Sequence, residues 1–364
     1  MNSKKALFSA GAVIGLIAVA LVWFGNPQNM GFCIACFIRD IAGAVGVHRA
    51  EAVQYIRPEI IGLVLGALLM ALAGKEFQPR GGSAPMTRFI LGVAVMIAAL
   101  VFLGCPLRMV LRIAGGDLNA VVGLVGFIAG IAVGVVFLKR GYSLKRTYQM
   151  PTLDGLWLSA VQIALLVLLV AAPAFIFFSE SGPGSMHAPL LLALAAGLIV
   201  GGLAQKTRLC MVGGIRDVIL FKDWTLLMGF LGILVVALIG NIALHYFKVG
   251  FIGQPIAHVD GVWNFLSMTA VGLGSVMLGG CPLRQLILSG EGNADSAVTV
   301  VGYFVGAAIA HNFGLASAAT AVAEDGTLSG GPSAAGKVAT VIILVVLVII
   351  AVANSKRQET VKEG

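Results

Sequence analysis

The stretch RFILGVAVMIAALVFLGCPLR, residues 88–108, contains both signals that fix the architecture. From Phe89 to Leu103 no residue is charged, and with its flanks the run has the length at which a helix crosses the roughly 30 Å hydrocarbon layer of a bilayer. The last six residues then break that run with Gly104-Cys105-Pro106 and close it with Arg108. Outward from this stretch the whole chain is of the same kind. Of its 364 residues 59% are hydrophobic and only 11% charged, and its mean hydropathy is +1.00. A soluble domain carries about 25% charged residues. Too few polar side chains remain to cover a water-facing surface, which excludes a soluble enzyme. The 48 glycines suit helices that pack closely in lipid.

Ten apolar stretches read as spans: 6–24, 57–74, 88–104, 119–138, 155–178, 188–204, 224–247, 262–278, 297–318 and 336–353. Each must be helical, because lipid offers the backbone no hydrogen-bond partner. Lys4 and Lys5 ahead of the first stretch resemble a signal peptide, but the run is long for one and is retained as a span. The expected fold class is an all-α polytopic membrane protein.

The net charge of +8 reads as topology rather than as nucleic-acid binding. With the N-terminus inside and ten alternating spans, 17 Lys and Arg fall on the inner side and six on the outer: Arg39, Arg49, Arg57, Arg108, Arg112 and Lys248. Cytoplasmic loops carry the Lys/Arg excess, so both termini are expected in the cytoplasm. The linkers 179–187 and 319–335 contain neither residue and fall outside.

The chain also repeats itself. Cys33-Ile34-Ala35-Cys36-Phe37-Ile38-Arg39-Asp40 resembles Cys210-Met211-Val212-Gly213-Gly214-Ile215-Arg216-Asp217, and Gly104-Cys105-Pro106-Leu107-Arg108 recurs as Gly280-Cys281-Pro282-Leu283-Arg284. The offsets are 177 and 176 residues, so one duplication accounts for both pairs. Shared composition does not place Ile-Arg-Asp twice at one distance from a cysteine. The halves are 1–178 and 188–364, joined by 179–187, with five spans each. An odd count makes the second half enter from the opposite side, the arrangement of many transporters, whose path lies between the repeats.

Within the repeated motif, glycine lets the chain leave the preceding helix. Proline lacks an N–H and is favoured at the first helical position. Cys105 and Cys281 are therefore expected near the N-caps of short half-helices, where outward-pointing N–H groups attract anions. Arg108 and Arg284 follow on the same face. A thiol in positive potential suits a small anion carrying sulfur or a similarly soft atom. The competing reading, cysteine as an inert packing residue, is weakened because four of the five cysteines fall in matched positions. Arg39-Asp40 and Arg216-Asp217 read as ion pairs or capping contacts, with substrate contact as the competing role. The candidate substrate-binding set is Cys33, Cys105, Cys210, Cys281, Arg39, Arg108, Arg216 and Arg284. Cys33 and Cys36 have the C-x-x-C form, but the thioredoxin-like context and further zinc ligands are missing from the pattern. No nucleotide-binding motif appears, and no metal or cofactor is expected.

These motifs resemble the YeeE/YedE family of membrane proteins over nearly the whole chain, which includes bacterial thiosulfate importers and a branch linked to selenium metabolism. The resemblance implies a transporter rather than an enzyme, taking up a small sulfur- or selenium-containing anion across the bacterial inner membrane. It implies that Cys33, Cys105 and Cys281 pass the ion inward through thiol contacts, with Cys210 as a fourth station. A soluble sulfur carrier of the SirA/TusA type is implied as a partner by analogy alone. The Ile-Arg-Asp segments and Cys36 look closer to the selenium-linked branch, leaving the substrate open. Two other classes compete: a membrane thiol oxidoreductase or sulfurtransferase, and a membrane docking partner of a soluble sulfur or selenium carrier.

Overall fold

The computed structural model describes residues 3–355; Lys356, Arg357 and Lys362 of the expected cytoplasmic tail lie outside the described residues. The first half comprises α1 (Lys4–Trp23), α2 (Ile34–Ala44), α3 (Pro58–Ala73), α4 (Pro85–Phe102), α5 (Pro106–Ala114), α6 (Leu118–Lys139) and α7 (Thr152–Ala171). The second comprises α8 (Leu190–Thr207), α9 (Met211–Phe221), α10 (Leu227–Ala243), α11 (Gly261–Leu278), α12 (Pro282–Gly290), α13 (Ala294–Asn312) and α14 (Ala334–Ala353). The only strands among the described residues form two small antiparallel pairs in connections: β1 (Arg80–Gly81) with β2 (Tyr148–Gln149), and β3 (Ala318–Val322) with β4 (Leu328–Gly331).

The chain is thus an all-α polytopic membrane protein. Nine segments among the described residues are long and apolar enough to span a bilayer. The tenth expected span, α10, is equally apolar but has only 17 residues. Two boundaries differ most from the sequence pattern. Stretch 155–178 ends as helix at Ala171, because Ala172 turns left-handed (φ 41°) ahead of Pro173. Stretch 297–318 ends at Asn312, because Gly314 adopts φ 61° and the chain turns into β3.

Helix pairing repeats with the sequence. α1 packs along α10 as α8 packs along α3, and α6 packs along α11 as α13 packs along α4. Glycines make this possible. A Cβ added at Gly66 of α3 would lie 2.2 Å from the Leu198 carbonyl oxygen of α8, and one at Gly201 of α8 equally close to that of Leu63. Lipid supplies no hydrophobic force between helices, so such backbone contact is what holds them. The fifth helices break the pattern: α7 packs on α3 and α12, whereas α14 packs on α11 and α4.

The connections gather at two ends of the bundle. At one, Arg80 bridges to Asn293, β1 pairs with β2, and Ser143 N–H donates to Asn354. At the other, Asp117 bridges to Gly250, Gln54 N–H donates to Ser179, and Thr320 N–H donates to Ala257. The short helices α2, α5, α9 and α12 lie between the long ones. Every residue of α2 is buried, and every residue of α5 except Ile113.

Candidate functional site

Each of the four short helices begins immediately after a motif cysteine. Cys33, Cys105, Cys210 and Cys281 are the N-caps of α2, α5, α9 and α12, all with extended backbone. Pro106 and Pro282 occupy the first positions of α5 and α12, where the missing N–H is no loss. The preceding long helices stop with a left-handed residue, Leu103 (φ 63°) after α4 and Gly279 (φ 81°) after α11. Gly104 and Gly280 leave room for an arginine to fold back: added Cβ atoms would meet Arg108 at 3.1 Å and Arg284 at 3.0 Å.

The cysteines come together as two pairs. The Cys33 and Cys105 thiols lie side by side. The Cys33 sulfur accepts from Cys36 N–H at 3.3 Å, and the Cys105 sulfur accepts from Ile34 N–H at 3.2 Å. The N–H groups of Ala35 and Arg108 also lie close to Cys105, so the starts of α2 and α5 converge on one sulfur. The second pair repeats this. The Cys210 and Cys281 thiols lie side by side, Cys210 accepts from Gly213 N–H at 3.3 Å, and the N–H groups of Met211 and Arg284 lie close to Cys281. Each pair therefore concentrates the partial positive charge of two helix N-termini on soft sulfur atoms. All five cysteines are free and buried.

The four arginines separate into different roles. The guanidinium of Arg108, fully buried, lies 3.8 Å from the Cys36 sulfur. It donates to the Leu103 carbonyl at the end of α4, and to Asn29, Pro255 and Ile256 carbonyls. No carboxylate pairs with it among the described residues. Arg284 instead pairs with Glu291 at 2.9 Å, and Gln285 takes over the capping task by donating to the Leu278 carbonyl. Arg39 pairs with Asp40 at 2.7 Å and Arg216 with Asp217 at 2.8 Å, the ion pairs the sequence suggested. These two guanidiniums are thus engaged by their neighbours and not presented to the thiols by any direct hydrogen bond.

Other buried groups escaped the sequence pattern. Arg57 donates to Asp40 at 2.8 Å and to the Pro183 and Met186 carbonyls, and it stacks over Phe37. Arg112 pairs with Asp117 at 2.7 Å. Asn26 donates to Glu59 at 2.8 Å. Arg57 and Arg112 looked like outer-loop charges because charge counting carries no information on burial. Tyr303 in α13 is fully buried, and comparison of the repeats would have exposed it, since Phe127 of α6 occupies the matching place.

Residues 206–363 match the family described as Sulphur transport. That segment carries Cys210-Met211-Val212-Gly213-Gly214-Ile215-Arg216-Asp217 and Gly280-Cys281-Pro282-Leu283-Arg284. The chain is also 27% identical over 124 residues to the protein named thiosulfate transporter TsuA of Escherichia coli (strain K12), a stretch covering 34% of this chain and 35% of that protein. The sulphur transport match takes in most of the second half, from the end of α8 through α14. The first thiol pair lies outside it and is connected to it by the internal duplication and by the matching geometry.

Proposed function

We propose that the protein imports a small sulfur- or selenium-containing anion, moving it from periplasm to cytoplasm past two successive thiol pairs. The observation that carries this reading is the duplicated geometry: two buried pairs of cysteines, each at the meeting point of two helix N-termini. A helix N-terminus attracts an anion without a full counter-charge, and thiols suit a soft terminal atom. Two weak sites in series favour passage over retention. In this reading the halves 1–178 and 188–364 are inverted repeats about the periplasmic linker 179–187, so that Cys33 and Cys105 face the periplasm and Cys210 and Cys281 the cytoplasm. The alternation of connections between the two ends of the bundle supports it. Cys33, Cys105, Cys210 and Cys281 contact the ion, Arg108 adds positive potential to the first pair, and Arg284 to the second. Arg39 and Arg216 hold their half-helices in place through their aspartates. The protein acts as a transporter and not as an enzyme, with a soluble SirA/TusA-like carrier receiving the sulfur at the cytoplasmic end.

The test is uptake of labelled thiosulfate and labelled selenite by bacterial cells lacking their own importers, with expression matched. Wild type takes up at least one ion, and Cys105→Ala and Cys281→Ala each reduce that uptake at least ten-fold, about 1.4 kcal/mol in the effective barrier. Uptake of neither ion by well-expressed wild type would sink the reading.

A further inference from the structure

Among the buried polar atoms that lack a partner in the described residues, one interacts with members of both thiol pairs. Tyr303 is the middle residue of α13 (Ala294–Asn312), its side chain is fully buried, and its hydroxyl makes no hydrogen bond among the described residues. The phenol is within electrostatic range of Cys281, Cys210 and Cys105, that is, of members of both pairs. Its helix explains the placement. α13 packs against α2, which starts at Cys33, and against α12, which starts at Cys281. Gly302 and Gly306, on either side of Tyr303 in sequence, bring α13 against the backbone of α4.

The repeat supplies an internal control. The sequence Gly302-Tyr303-Phe304-Val305-Gly306 corresponds to Gly126-Phe127-Ile128-Ala129-Gly130 in α6, and Phe127 is likewise fully buried. α6 packs against one short helix of each pair, α5 and α9, as α13 does with α12 and α2. A phenyl ring therefore fills this register of the fold, and the hydroxyl is not needed for packing. A buried hydroxyl without an acceptor is unfavourable. A phenyl-sized slot that nonetheless carries one points to an acceptor that is present only part of the time.

We propose that Tyr303 is a specificity-determining contact of the transport path, donating its hydroxyl hydrogen bond to an oxygen of the passing anion midway between the two thiol pairs. The inference rests on the transport reading above and deepens it by naming the substrate class. The ion has two kinds of atom: a soft sulfur or selenium that thiols engage, and at least one oxygen that a phenol engages. Sites built to hydrogen-bond a ligand discriminate strongly against ligands lacking the group.

Tyr303→Phe tests this, since it removes one oxygen atom and reproduces the residue found in the other repeat. Labelled thiosulfate uptake by wild type and Tyr303→Phe is compared over a concentration series in importer-deficient cells. In parallel, the purified proteins are melted in detergent with and without thiosulfate. The expected result is an unchanged or raised melting temperature without ligand, a KM for thiosulfate raised at least ten-fold, and loss of most of the ligand-induced rise in melting temperature. Wild-type KM and wild-type ligand stabilisation in Tyr303→Phe would overturn the role of the phenol while leaving the transport reading intact. A lowered melting temperature without ligand would also overturn it, assigning the hydroxyl to structure. Wild type that neither takes up thiosulfate nor is stabilised by it would remove the transport reading and the phenol contact together.

Discussion

At the residue scale, the duplication places the same ion pair in two environments and so measures what burial does to it. Asp40 accepts from Arg39 at 2.7 Å and from Arg57 at 2.8 Å, with all three side chains at most 4% exposed. Among the described residues Asp217 accepts from Arg216 alone, with those side chains 18% and 33% exposed. Removing one partner of a buried pair leaves an uncompensated charge, and costs about 3–5 kcal/mol, whereas a pair open to solvent contributes about 0–1 kcal/mol. Asp40→Asn is therefore expected to lower the unfolding temperature in detergent severely and Asp217→Asn barely; equal losses would refute the distinction. His258, in the connection before α11, offers a second residue-scale check. It is buried with Nε2 against the Val101 carbonyl and Nδ1 unpartnered among the described residues, and burial, reinforced by Arg112 and opposed by the Val101 hydrogen bond, Asp260 and Asp117, pushes its pKa down to about 4. Because the unfolded chain takes up the proton near pH 6.5 and the folded one only near 4, stability falls as pH drops through that window. Thermal melts should show a larger loss between pH 6.5 and 4 for wild type than for His258→Gln.

At the element scale, the spans and the short helices have different origins in the sequence, and they were legible to different degrees. Long apolar runs give helices in lipid whatever their neighbours, so ten long helices follow from hydropathy. The starts of α5 and α12 follow from Cys-Pro, because proline at the first position dictates where a helix begins. The partners of each helix were not legible. In a soluble helix an apolar stripe marks the buried face, but in lipid all faces are apolar and the stripe vanishes. Glycine carries the missing information, through contacts that exist only once two helices are placed together. Gly66 faces the backbone of Leu198, whereas nothing lies within 4 Å of a Cβ at Gly261. Gly66→Ala should destabilise the protein by about 1–3 kcal/mol, the range for forced overpacking, and Gly261→Ala should leave its melting temperature unchanged. The thiol pairing was equally hidden, since Cys33 and Cys105 stand 72 residues apart and only the joint placement of α2 and α5 brings them into contact.

At the scale of the whole molecule, burial sharpens the charge asymmetry that orients the chain. Six Lys and Arg belong to the end of the bundle holding Cys33 and Cys105. Four of them, Arg39, Arg57, Arg108 and Arg112, are buried among ion pairs and carbonyls inside the protein. Only Arg49 and Lys248 are exposed there. The opposite end presents Lys4, Lys5, Lys75, Lys139, Arg140, Lys145, Arg146, Lys206, Arg208 and Lys222 to the surroundings. The Lys/Arg bias sets orientation through residues near the ends of the spans, so the second end is expected in the cytoplasm by a wide margin. The connections 172–189 and 313–333, which carry no Lys or Arg, are then expected in the periplasm. Reporter fusions that are active on only one side of the membrane read this directly. A phosphatase joined after Gly182 or Asp325 should be active, and one joined after Lys145 or Lys222 silent. A fluorescent reporter that folds only in the cytoplasm should give the reverse pattern. The fusions after Lys145 and Gly182 bracket α7, and those after Gly182 and Lys222 bracket α8, so the crossing of α7, the fifth span of the first half, is tested by the same four fusions. If Gly182 and Lys145 report the same side, α7 does not cross, the halves run parallel, and the two thiol pairs no longer face opposite sides of the membrane.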